Sequence, residues 1–346
     1  MNISEHFVNF TKSNNFKEVE RSRLISKYFK NEFNLSGGHS HLVPAVLSHE
    51  KVDKEYISVL DLCIRKTDSQ MIGVSNSHLL LFEMGVWGCF GYIDNKIQEE
   101  FRQLSLLLEF LRLCNIEQND LYFTICGGGQ YLDRSILPDT DSLDILLALG
   151  IKHENIFQTQ GRRNFMLSRG IDRLAGYNIE VFVKRGDQYI EIASSNIYEY
   201  INKLTHLEKT VNTGIGCGIG IERVNFISEG LNSVYDLPFF KSSKEQIRQA
   251  MNLSVESINI ISDKIYRLTE LSKTLIFLLN DEQYFDKTAQ GKTMKSYLSK
   301  IKSEISFLSL PEEQLFAIIR NCFDMEFSKY NIDPKVYSYI LEAIKL

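Results

Sequence analysis

Residues 211–223 read Val-Asn-Thr-Gly-Ile-Gly-Cys-Gly-Ile-Gly-Ile-Glu-Arg. Glycines at 214, 216, 218 and 220 fall on every second position, which in a strand strips one face of side chains. A bare face of that kind admits a flat group close to the backbone. Arg223 then sets a cation at its edge, suited to a phosphate or to the face of a planar base.

Upstream, Leu62-Cys63-Ile64-Arg65 ends a short apolar run that reads as a strand. A polar stretch follows from Lys66 to Ser77, with Asp68, Gly73 and Asn76 in it, and then His78-Leu79-Leu80-Leu81-Phe82-Glu83-Met84 reads as a second strand. The pair predicts a hairpin with a long loop over about residues 60–90. An arginine at such a place can grip a carboxylate and a phosphate together and take up transition-state charge. His78 can touch a terminal phosphate, and Phe82 can stack on a base.

These segments, in this order, resemble motifs 2 and 3 of the class II aminoacyl-tRNA synthetases. The similarity narrows to the catalytic core of alanyl-tRNA synthetases. Cys63-Ile64-Arg65 and Phe82-Glu83-Met84 resemble that family's Cys-Ile-Arg and Phe-Phe-Glu-Met. Leu121-Tyr122-Phe123-Thr124-Ile125 before Gly127-Gly128 resembles its Leu-Tyr-Val-Thr-Val strand. Leu149-Gly150-Ile151, Asn164-Phe165, Glu191-Ile192 with Asn196-Ile197, and Val211-Asn212-Thr213-Gly214 continue the colinear likeness to about residue 240. Asp263-Lys264-Ile265-Tyr266-Arg267 and Gly291-Lys292 echo the family's helical middle domain.

The resemblance implies an α+β class: an antiparallel sheet flanked by helices over residues 1–240, then an all-helical domain over 241–346. It implies ATP-dependent activation of a small amino acid, alanine or alanine-like, with pyrophosphate released and the acyl group passed to an acceptor. The acceptor is tRNA ahead of a carrier protein or a small amine. A non-tRNA ligase and a non-catalytic regulatory relative are the alternatives. Arg65 would bind carboxylate and α-phosphate, His78 the γ-phosphate, and Phe82 and Arg223 would sandwich adenine, with Asp68 and Gly220 also in the ATP site. Met84, Met166, Asn196, Asn212 and Gly214 would shape the amino-acid pocket. Mg²⁺ would come with ATP, with Glu191 and Glu222 as candidate ligands. Either a monomer or a homodimer fits.

Departures point to a changed substrate. Asn212 stands where the family has an Asp that pairs with the amine of alanine, and an amide supplies no counter-charge. Extra residues between Thr213 and Glu222 leave that register open. Met166 replaces a pocket Trp and is a more adaptable wall. Residues Arg169 to Tyr177 replace a Gly-Pro-Cys-Gly-Pro-Cys turn. The resemblance also implies a truncated relative without the editing and C-terminal domains. The six cysteines form no Cys-x-x-Cys pair, and His39-Ser40-His41 lacks a nearby carboxylate, so no zinc set is expected.

Composition agrees with a globular enzyme: 346 residues, 44% hydrophobic, 24% charged, net charge −5. No apolar run nears the roughly 20 residues of a membrane span, and the dispersed cysteines suit a reducing cytoplasm. The net charge argues weakly against broad nucleic-acid affinity, although Lys287, Lys292, Lys295, Lys300 and Lys302 offer a local basic patch. Helices are expected over Ile97–Leu113 and Ser142–Leu149, the latter capped by Asp139 or Asp141, and strands over Leu121–Ile125, Ile179–Val183 and Gln188–Ile192.

Overall fold

The structure is a computed structural model and describes residues 2–25, 33, 44–160, 163–167 and 172–345. His39, His41 and Arg169 lie outside the described residues. By contacts the chain divides into two units. One comprises Met1–Ser22, Ser36–Asp61 and Glu83–Glu229, the other Arg23–Leu35, Leu62–Phe82 and Gly230–Leu346.

The sheet strands are β1 (Lys17–Glu18), β2 (Glu55–Ile64), β3 (Leu81–Gly91), β4 (Leu121–Cys126), β7 (Ile156–Thr159), β8 (Phe165–Leu167), β9 (Arg173–Arg185), β10 (Gln188–Asn202) and β11 (Leu207–Gly220); β5 (Gly129–Tyr131) and β6 (Arg134–Ile136) form a separate hairpin. The order is β1-β2-β3-β11-β10-β9-β4-β7, with β8 beside β9. The core strands β3, β11, β10, β9 and β4 run antiparallel. The β1–β2 and β4–β7 pairs are parallel, so the expected antiparallel sheet carries a parallel pair at each edge. Strands β9 and β10 also run several residues beyond the expected hairpin, because register shifts near Glu191/Ala193 and Tyr198/Tyr200 interrupt their alternation without ending them.

The first unit's helices are α1 (Ile3–Ser13), α2 (Lys96–Leu113), α3 (Thr140–Ala148) and α4 (Ile221–Ser228). Asn2, Asn95 and Asp139 cap the first three by accepting the backbone N–H three residues on. Helices α1 and α2 cover one face of the sheet. Trp87 is fully buried there, with its ring centroid 5.7 Å from Phe7 and 5.8 Å from Phe110. The Cys217 thiol points to that side, 3.6 Å from the Gln103 carbonyl on α2.

Glu100 of α2 is buried against the start of α3, where Ser142 Oγ lies 2.5 Å from Glu100 Oε1 and 2.7 Å from Asp139 Oδ2. One hydroxyl proton cannot serve both carboxylates, so the second proton belongs on a carboxyl. Burial pushes Glu100 up from 4.5 to about 8, with the Asp139 carboxylate adding to the rise and the Ser142 hydrogen bond opposing it. The folded state therefore holds this proton more tightly than the unfolded chain. The stabilisation is fully present below about 4.5 and is lost as pH rises through about 8. Glu100→Gln is expected to flatten the fall in unfolding free energy between about pH 5 and 8, recovering roughly 2–4 kcal/mol at the upper end by chemical denaturation.

The second unit carries α5 (Pro238–Ala250), α6 (Val255–Ile260), α7 (Ser262–Asn280), α8 (Ala289–Leu308), α9 (Glu312–Glu326) and α10 (Pro334–Lys345). Pro238 opens α5 at a position that needs no N–H donor, and Thr288 caps α8 by accepting from Gly291 N at 3.0 Å. Phe277, Phe323, Phe327 and Tyr330 interlock between the helices. Among the described residues no helix is long and apolar enough to cross a membrane.

Two devices in this unit hold the loop between β2 and β3. Tyr235 Oη accepts from Gly73 N at 2.8 Å and donates to the His78 carbonyl at 2.7 Å. Gly73 sits at φ +73°, and an added Cβ there would lie 2.8 Å from Asp263 Cα, so both conformation and space require glycine. The second device is a buried ion pair on α7. Glu270 accepts from Leu81 N at 2.7 Å, Lys273 donates to the Leu81 carbonyl at 2.7 Å, and the two are 2.7 Å apart.

Candidate active site

The residues on the face of the first unit's sheet away from α1 and α2 follow from register. Residues directly opposite one another in an antiparallel pair share a face. Thr124 pairs with Glu180, Glu180 with Ser194, Ser194 with Gly218, and Gly218 with Val86. The next row is Asn178, Asn196, Gly216 and Gly88. Polar side chains of β4, β9 and β10 thus border a floor of glycines on β11 and β3.

The four glycines of β11 divide by what surrounds them. A Cβ at Gly214 would meet the Phe90 ring at 2.9 Å, and one at Gly216 the Trp87 carbonyl at 2.5 Å. The chain's own packing requires those two, and the Phe90 ring takes the space that a side chain at 214 would fill. At Gly218 the nearest atoms would be Met84 Sδ and Ser194 Oγ, both at 3.5 Å. At Gly220 the nearest would be Arg223 Cδ at 3.6 Å. Neither position has the positive φ that would demand glycine. The half of the strand that ends at Arg223 is bare without an internal packing reason.

Arg223 lies in the first turn of α4. Its Nη1 donates to the Glu191 carbonyl at 2.9 Å and stands 3.5 Å from the Glu191 carboxylate, which fixes the guanidinium beside Gly220. Both carboxylate oxygens of Glu222 lie 3.0 Å from Glu83 N on β3. Glu191 and Glu222, the expected Mg²⁺ ligands, are thereby engaged with Arg223 and with backbone. Among the described residues no group of three His, Cys, Asp or Glu side chains is placed to hold a metal.

Asn212 corrects the sequence reading. Its side chain is fully buried and spent on backbone. Oδ1 accepts from Val52 N at 3.0 Å, and Nδ2 donates to the carbonyls of Ser48 at 3.2 Å and Glu50 at 2.8 Å. It pins the 48–52 segment and does not line the pocket. Asn212→Asp, which the expected role would have made a gain in alanine use, instead sets a carboxylate against two carbonyl oxygens. It is expected to cost about 2–4 kcal/mol in urea unfolding with no gain in amino-acid turnover.

Asn196 lies in the row of Asn178 and Gly216. Asn178 Nδ2 donates to Asn196 Oδ1 at 2.7 Å, and Asn196 Nδ2 donates to Ser194 Oγ at 3.2 Å. Asn164 is fully buried beneath this row, bonded to Thr124, Thr159 and the Asn178 carbonyl. Met166 stands opposite Gly176, beside the Asn178 row, and is half-buried. Met84 stands opposite Gly220. Glu180, Asn178 and Ser194 went unremarked in the sequence, and Thr124 entered only as part of the Leu121–Ile125 strand. The alternation of Asn178 and Glu180 with Ile179 and Val181 was the signal that could have found them.

The remaining candidates belong to the second unit. Arg65 follows the end of β2 and leads into a 3-10 turn, Lys66–Gln70, that carries Asp68. Its guanidinium lies 5.2 Å from the Phe82 ring centre and makes no ion pair among the described residues. Phe82 thus supports Arg65 on one face. His78 precedes β3 instead of lying in it, and its Nδ1 is 2.6 Å from Ser75 Oγ.

Comparison with known proteins bears on the family. The family described as tRNA synthetases class II (A) matches residues 2–325. The alanine–tRNA ligase of Borrelia hermsii is 27% identical over 291 residues, covering 76% of this chain and 47% of that protein. The alanine–tRNA ligase of Leptospira biflexa is 23% identical over 350 residues, covering 95% of this chain and 36% of that protein. The chain thus spans less than half the length of either relative. Apo Staphylococcus aureus histidyl-tRNA synthetase aligns at a TM-score of 0.44 and 14% identity, over 66% of each chain. The chain belongs to the class II (A) family of tRNA synthetases.

Proposed function

We propose that this chain activates a small amino acid with ATP. The observation that carries the reading is the bare run from Gly218 to Gly220 beside the fixed Arg223 guanidinium. A planar base fits that floor with the guanidinium over its edge. The polar row of Ser194, Asn196 and Asn178 offers hydrogen bonds for a small polar ligand next to it.

In the reaction an oxygen of the amino-acid carboxylate attacks the α-phosphorus of ATP. The bond from that phosphorus to the β-phosphate oxygen breaks, pyrophosphate leaves, and an aminoacyl-adenylate forms. Family likeness supports Arg65 as the group that orients carboxylate and α-phosphate, and it makes no ion pair among the described residues, which is consistent with that role. It supports His78 at the terminal phosphate. Asp68 enters only by its position in the same loop. Mg²⁺ would arrive on the phosphates of ATP and balance their charge. The acyl acceptor proposed first is tRNA, on family membership and on the basic helix α8 with Lys292, Lys295, Lys300 and Lys302.

The test is amino-acid-dependent exchange of labelled pyrophosphate into ATP, run across the standard amino acids. Exchange with one or a few small amino acids is expected. ATP binding with no exchange for any of them would favour a non-catalytic relative.

A further inference from the structure

We propose that Tyr235 is the positioning residue that presents His78 to the terminal phosphate of ATP. The proposal rests on the adenylation reading and deepens it, by naming the group that sets the phosphate end of that site. Tyr235 lies in a 3-10 turn, Val234–Asp236, and is 3% exposed. A phenol buried to that extent needs partners for its hydroxyl. It finds them at the two ends of one loop, residues 73–78. The hydroxyl accepts from Gly73 N at 2.8 Å and donates to the His78 carbonyl at 2.7 Å.

The middle of the loop is held from the same turn. The Asn76 carbonyl accepts from Val234 N at 2.9 Å and from Ser233 Oγ at 3.3 Å. Three consecutive residues, 233–235, thus fix the backbone of 73–78 at its start, middle and end. The hydroxyl is itself fixed by packing. The Tyr235 ring stacks on Tyr266 of α7, with centroids 4.3 Å apart and planes at 14°, and meets Phe240 of α5 edge-on at 5.1 Å. The backbone of Asp263 closes on the loop at Gly73 and leaves no room for a side chain there.

These contacts converge on His78. Tyr235 ties its carbonyl, and Ser75 Oγ lies 2.6 Å from its Nδ1. The imidazole is therefore placed by the chain's own hydrogen bonds, and a phosphate does not have to order it. A free loop containing Gly73, Ser75, Asn76 and Ser77 would sample many conformations. Only the fraction with His78 in place would grip the phosphate, and the apparent affinity would fall by that fraction.

The test measures dissociation constants of Mg-ATP and of AMP for the full chain by calorimetry, in the wild type, Tyr235→Phe, His78→Ala and the double variant. Tyr235→Phe keeps the ring and removes only the hydroxyl. Its affinity for ATP is expected to fall about 10-fold, with that for AMP within about 2-fold, since AMP has no terminal phosphate for His78 to meet. Added to His78→Ala, Tyr235→Phe should change ATP affinity by less than about 2-fold, because the two act through one contact. An unchanged ATP affinity in a folded Tyr235→Phe variant would overturn the assignment. Equal weakening of ATP and AMP, or full addition to His78→Ala, would overturn it too, since either marks a general loss of structure. Should Tyr235→Phe not fold, Ser233→Ala removes a bond to Asn76 and is expected to weaken ATP alone by about 3-fold; no weakening would count against the assignment. ATP bound with these differences but exchanged with no amino acid would overturn the adenylation reading and leave this assignment standing. A wild type that does not bind ATP would overturn both.

Discussion

Arg65→Ala is expected to lower kcat for amino-acid-dependent pyrophosphate exchange by about 10²- to 10³-fold, with the unfolding midpoint nearly unchanged. The guanidinium rests on the Phe82 ring and has no carboxylate partner among the described residues, so its removal leaves no buried charge behind. Only the stacking contact is lost, worth about 0.5–1 kcal/mol at a partly exposed site. The kinetic loss is large because the group's work lies in the transition state, where charge develops on the α-phosphate. Arg65→Lys should recover little of the rate, since an ammonium cannot make the two parallel contacts of a guanidinium. Single-turnover rates and thermal unfolding of the same preparations separate the two effects.

The largest loss of stability is expected from Lys273→Met, at about 3–5 kcal/mol by denaturant unfolding. The side chains of Lys273 and Glu270 are 2% and 0% exposed, so removing the ammonium strands a charge in the core. The pair also closes the main-chain groups of Leu81, whose N–H and carbonyl it takes at 2.7 Å each. Replacing both charges, as in Glu270→Leu with Lys273→Met, should recover part of the loss by removing the stranded carboxylate. Recovery should be incomplete, because the Leu81 groups would then have no partners. A single variant as stable as the wild type would mean that the pair is dispensable. Because Leu81 adjoins Phe82, the pair also steadies the platform under Arg65.

Much of this was legible in the sequence. The Gly-x-Gly-x-Gly-x-Gly-x-Glu-Arg run identified β11, its bare face and the helix that Arg223 joins, since strand alternation and glycine spacing are local properties. The helices over 96–113 and 140–148 were legible for the same reason, from apolar period and an Asp cap. What escaped was set by pairing across the sheet. Whether Gly214 or Gly218 is bare depends on Phe90 and Met84 of a strand more than a hundred residues away. Asn212 looked like a pocket residue by its place in a motif, and only the passage of residues 48–52 beside it shows where its hydrogen bonds go.

The central claim is that this chain joins an amino acid to AMP. The most direct measurement is a single turnover with stoichiometric protein, ATP labelled at the α-phosphorus, Mg²⁺ and the standard amino acids, quenched and resolved by mass spectrometry. Aminoacyl-AMP bound to the chain with one equivalent of pyrophosphate is the expected result. ADP with phosphate, or ATP recovered intact while bound, would contradict it.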